Sequence, residues 1–132
     1  MERWRAVEQT VLEFQSRPFE YGPASDCGAF WCAHLARIGW DVPLTIPGRT
    51  TLAGAKRALK TLGAKSMADL ADRYFRPVAP LQTIVGDLAI LPSGRDGWPA
   101  CGIVGNACVH ALGPRGGVIE MPRRFALKAW SV

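Results

Sequence analysis

Four cysteines (Cys27, Cys32, Cys101, Cys108) and two histidines (His34, His110) are the side chains of this 132-residue sequence best suited to nucleophilic or metal chemistry. Cys27 stands out by its setting. It follows Asp26, a residue type that caps helices, and opens a run containing Phe30, Trp31, Ala33, Leu35, Ala36 and Ile38. A thiol in the first turn of such a helix meets unpaired backbone N–H groups and the positive end of the dipole, and both favour the thiolate. A cysteine nucleophile needs that placement and a base to take its proton. The same position also suits a small buried hydrophobe, because free cysteine is among the most buried residue types.

The two histidines are the candidate bases. His34 lies seven residues after Cys27 on the same expected helix, on nearly the same face but about 10 Å along the axis. That exceeds the hydrogen-bond reach a base requires, so His34 reads as a histidine packed on or near the core. His110 falls on an expected strand, where parity turns it either toward Cys27 or away from it. Asp26 reads first as the helix cap and second as an acid or base.

Metal and phosphate chemistry find little local support. Cys27 and Cys32 point about 140° apart on a helix, too divergent to bond to each other and poorly placed to share an ion. The sequence has no C-x-x-C or H-x-x-x-H half-site of the kind structural zinc sites use, and no G-x-x-x-x-G-K-[ST] phosphate loop. No metal and no cofactor is expected. With no signal core visible near Met1, a disulfide framework is not expected either.

Around these residues the periodicity predicts helices first and strands afterwards. Trp4, Val7, Val11 and Phe14 recur at helical spacing over residues 3–16. The helix behind Cys27 runs from about 27 to 38, and Gly39 closes it. Residues 41–50, with Pro43, Pro47 and Gly48, read as an irregular connection. Thr51 starts a third helix with Leu52, Ala55, Leu59 and Leu62 inward and Lys56, Arg57 and Lys60 outward. Ser66 and Asp69 form a capping-box pattern that opens a fourth helix reaching about Phe75, and Pro77 and Pro80 break the pattern. Strands are expected near 87–91, 101–104, 107–112, 117–121 and 125–132, with a tight hairpin at Gly105-Asn106 and Trp130 facing inward. The expectation is one α+β domain over 1–132: a helical half to about residue 76, packed on an antiparallel sheet of about five strands from about residue 84.

Composition narrows the functional classes. Hydrophobic residues make up 48% and charged residues 20%, as in a folded globular protein rather than a disordered one. No apolar run reaches the roughly 20 residues of a membrane span. The net charge of +5 comes from scattered Lys and Arg, clustered only near residues 56–60 and at Arg123-Arg124. Aromatic residues do not interleave with them as a single-strand nucleic-acid groove requires, so nucleic acid is not an expected partner.

Tyr21-Gly22 followed by Asp26-Cys27-Gly28-Ala29-Phe30 resembles the segment around the nucleophile of NlpC-type papain-fold cysteine peptidases. Gly86-Asp87-Leu88 resembles the opening of that family's first strand, Cys101-Gly102-Ile103-Val104-Gly105 the next strand, and Val109-His110-Ala111 the one after. The resemblance implies a papain-like fold with Cys27 as nucleophile and Tyr21 beside the oxyanion; the ring of Tyr21 would serve equally as a loop anchor. It also exposes a departure. In the active family the base is a histidine two residues before the strand's glycine, and here that position is Ala100. His110 matches a sheet position that is not the base, and remains the candidate replacement.

With its Ala129-Trp130-Ser131-Val132 ending, the fuller pattern resembles small peptidase-like proteins of phage and prophage tail modules, which commonly lack the strand histidine. This resemblance implies a virion protein made in the bacterial cytoplasm, located at or near the tail tip, with other tail-tip proteins and peptidoglycan as the expected contacts. Two functions follow from it. One is a structural or adaptor subunit that keeps the peptidase fold as a scaffold. The other is a working cysteine hydrolase of peptidoglycan peptide stems, with Cys27 as nucleophile and His110 or a partner's group as base.

Overall fold

A computed structural model describes residues 1–20, 26–41, 51–92 and 98–132. The chain forms helices α1 (Arg3–Phe14), α2 (Cys27–Arg37), α3 (Leu52–Thr61) and α4 (Met67–Tyr74), then strands β1 (Arg76–Val78), β2 (Leu88–Leu91), β3 (Ala100–Val104), β4 (Val109–Leu112), β5 (Val118–Met121) and β6 (Lys128–Ser131). The α+β class and the order of helices before sheet are as the patterning predicts.

Local chemistry explains the helix ends. The Asp26, Thr51 and Ser66 side chains accept from the backbone N–H groups of Ala29, Gly54 and Asp69, each three residues on, satisfying donors that the helix itself cannot. Gly39, at φ 95°, takes the left-handed conformation that closes α2. On α3 the cations Lys56, Arg57 and Lys60 are exposed while Leu59 is buried. On α1 the inward face is Ala6, Val7, Thr10 and Phe14, and Trp4 is exposed. Arg3 turns inward in its place, donating to the Val85 carbonyl and to Asp87.

Among the described residues all strand pairs are antiparallel, and the sheet has six strands in the order β1-β6-β2-β3-β4-β5 rather than about five. The additional strand is β1, which contains Pro77. Among the described residues β1 sits at the sheet edge and pairs with β6 alone, Pro77 opposite Trp130. An edge strand tolerates proline because one side of its backbone needs no donor. The expected two-residue turn at Gly105-Asn106 is a longer connection: β3 ends at Val104, β4 begins at Val109, and Gly105 N–H donates to Cys108 O at 2.8 Å.

Strand parity divides the core. Leu88, Ile90, Cys101, Ile103, Leu112 and Trp130 point toward the helices and join Phe14, Phe30, Trp31, Leu35 and Leu70. Ala89, Leu91, Ala100, Val104, Val109, Ala111 and Ala129 fill the opposite face. Both faces are covered, so β2 and β3 are buried at every residue and their sequences read as continuous apolar runs. The central helix is locked to the sheet by the Trp31 indole N–H, which donates to Gly102 O at 3.0 Å, and by the edge-on stacking of Trp31 on Trp130.

Candidate functional site

Cys27 is the first residue of α2 and is half-buried. Asp26 before it is 4% exposed; its Oδ1 accepts from Ala29 N–H at 2.9 Å, and its carbonyl accepts from Phe30 N–H at 2.9 Å. Asp26 therefore acts as the expected cap, and both of these bonds hold the first turn that carries the thiol.

The side chain of β3 that meets Cys27 is Cys101. Hydrogen bonding by its thiol, and then by its backbone, lowers the Cys27 pKa from the ordinary thiol value against the opposing effects of burial and of Asp26. Cys101 itself is 1% exposed, and burial followed by the adjacent Cys27 pushes its thiol well up. The two shifts run in opposite directions, so Cys27 is the more acidic sulfur of the pair and Cys101 the less acidic one. No disulfide joins cysteines among the described residues.

Ala100, at the position compared with the family's base, is buried on the opposite face of the sheet from Cys27. The register explains this. Side chains alternate along β3, so if Cys101 faces α2, Ala100 faces away. The family comparison points to position 100 and not to position 101, although Cys101 and Ile103 share a parity that turns both toward the helices.

Each histidine has neighbours of its own. His34 is fully buried, and its Nε2 lies 2.8 Å from Gly86 O. A carbonyl can only accept, so Nε2 carries the proton. Burial first, and then the positive charges of Arg3 and Arg37, lower its pKa to about 4, with the Gly86 carbonyl opposing. His34 is thus the neutral core histidine the helical spacing implies. His110 lies on β4 opposite Ile103 and Glu120. The groups that shift the Cys27 pKa are Cys101 and Asp26, not a histidine. His110 instead gathers with Cys108 and Glu120, their ligand atoms all within 4.8 Å of one another. Tyr21 and its Tyr-Gly loop lie outside the described residues.

The arrangement can hold a nucleophilic sulfur at a helix N-terminus, but the group beside it is a thiol rather than a base. Residues 1–132 match the family described as a domain of unknown function, DUF6950. The chain belongs to that family. No curated protein matches it. In this DUF6950 domain no described helix is long and apolar enough to cross a membrane.

Proposed function

We propose that this DUF6950 chain is a non-hydrolytic domain on an NlpC-type papain-like scaffold, serving as a structural or adaptor component of a phage or prophage tail tip. The observation that carries the non-hydrolytic part is the partner of Cys27. A cysteine hydrolase needs an acceptor for the thiol proton and later a donor for the leaving group. Cys101, whose hydrogen bonding lowers the Cys27 pKa, has its own thiol pushed well up by burial, so it keeps its proton near neutral pH and offers Cys27 no base. The tail-tip part rests on the sequence resemblance. An adaptor role also suits the surface near the 3-10 turns at Pro80–Gln82 and Arg123–Phe125, where Leu81, Ile84, Phe125 and Leu127 are exposed; apolar exposure of this kind marks contact surfaces.

The lowered Cys27 pKa favours a second reading, a cysteine hydrolase of peptidoglycan peptide stems whose base comes from a partner. Purified protein incubated with cross-linked peptidoglycan decides between them. The adaptor reading expects no new amino termini above a Cys27→Ala control, together with fixed stoichiometry of the chain in purified tails. Release of amino termini that Cys27→Ala abolishes would overturn it.

A further inference from the structure

Cys108, His110 and Glu120 form a second cluster that the candidate site does not use. Its construction follows from strand geometry. His110 is the second residue of β4, and Cys108 stands in the bend just before that strand. Glu120 is the direct cross-strand partner of His110 in the β4–β5 pair, and opposed residues stand close enough for their side chains to meet. One ligand atom from each residue lies within 4.8 Å of the other two.

Two further observations point to an occupant. The Nδ1 of His110 is buried and has no hydrogen-bond partner among the described residues, and a buried polar atom left unpaired calls for an explanation. Gly105 makes room for the ring: a Cβ there would stand 2.7 Å from His110 Nε2 and 2.9 Å from its Cδ2. The nearby cation, Arg123, is bound through its Nη atoms to the carbonyls of Thr83, Gly105 and Asn106.

We propose that Cys108, His110 and Glu120 bind one zinc ion. A sulfur, an imidazole and a carboxylate make a mixed donor set that suits zinc, whereas calcium and magnesium take oxygen ligands. Ligand atoms on a tetrahedral zinc lie about 3.3–3.8 Å apart, so small rotations of exposed Glu120 and half-buried Cys108 close the cluster. Cys108 releases its thiol proton to solvent as it binds. The fourth position belongs to water or to a partner's donor. The Cys-x-His spacing joins a bend residue to a strand residue and differs from the C-x-x-C and H-x-x-x-H half-sites.

The test uses the full chain, stripped with chelator and titrated with Zn²⁺ and Co²⁺. The expected result is one equivalent of metal, with a thiolate-to-cobalt charge-transfer band that Cys108→Ser and His110→Ala remove and that Cys27→Ser and Cys32→Ser leave intact. Glu120→Gln, at an exposed position, should keep the fold and weaken zinc binding at least about tenfold. Less than a tenth of an equivalent bound, zinc affinity unmoved by Glu120→Gln, or a band that survives Cys108→Ser and disappears with Cys27→Ser would each overturn the proposal.

Discussion

His34 on α2 and Gly86 just before β2 are joined by a 2.8 Å hydrogen bond in a fully buried setting. The bond fixes the tautomer and makes His34 a neutral spacer between helix and sheet. Its folded pKa is about 4, against an ordinary value of 6.5. Between these values the unfolded chain binds a proton that the folded chain refuses, so stability falls as pH falls through that window and is full above it. The whole loss is about 3 kcal/mol. Urea denaturation between pH 7 and pH 4 should show this slope, and His34→Gln, which keeps a donor for Gly86 O, should flatten it. An unchanged slope in His34→Gln would assign the acid sensitivity elsewhere.

A second prediction concerns the two thiols. Because the Cys101 S–H bond is the largest cause lowering the Cys27 pKa, Cys101→Ala should raise it and slow alkylation of Cys27 near neutral pH. Cys101→Ser keeps a hydroxyl donor and should preserve much of the reactivity. The pH dependence of iodoacetamide labelling, read by peptide mass spectrometry, checks both variants. Buried Cys101 in the parent should label far more slowly than Cys27.

The sequence makes the carriers of this site legible, but not their pairing. Asp26 and Cys27 are readable because a cap and the first turn are local facts of five or six residues. The helices of the described segments are readable for the same reason, to within a few residues at their ends. The partner of Cys27 depends on which face of β3 meets α2, and burial of both faces erases the alternation that would reveal it. Arg3 looks like one more surface cation in the sequence, yet it is bound to Val85 O, Asp87 and the carbonyl of Val132. β1 is obscured because Pro77 is a breaker in any central strand and acceptable only at an edge, a position known once the sheet order is known.

Asp87 concentrates the contacts that join the start of β2 to the two ends of the described chain. Oδ1 accepts from Arg3 at 2.7 Å and from Val132 N–H at 3.2 Å, while Oδ2 accepts from Ile84 N–H at 2.9 Å. Its side chain is 3% exposed and that of Arg3 is 32% exposed, so a lost bond strands backbone donors while the guanidinium retains some water. Asp87→Ala should cost about 2–3 kcal/mol. Arg3→Met, which leaves the carboxylate its two backbone donors, should cost less. Equilibrium denaturation of both variants tests the ordering, and a larger loss in Arg3→Met would contradict it.

Gly102 offers the sharpest packing test, because it sits between the layers that hold the Cys27 site. Its carbonyl accepts the Trp31 indole N–H, and a Cβ at this position would approach Leu91 Cδ1 and Val109 Cγ1 to 2.5 Å each. Both neighbours are core side chains, 0% and 1% exposed, on the face away from α2. Contacts this short inside a packed core should make Gly102→Ala shift β3 and cost about 1–3 kcal/mol. β3 carries Cys101, and its displacement loosens the donor that holds the Cys27 thiolate. The variant should therefore combine a lower denaturation midpoint with slower Cys27 alkylation under native conditions. Loss of stability with unaltered alkylation would mean that the sheet yields around Leu91 and Val109 and leaves the α2–β3 contact in place.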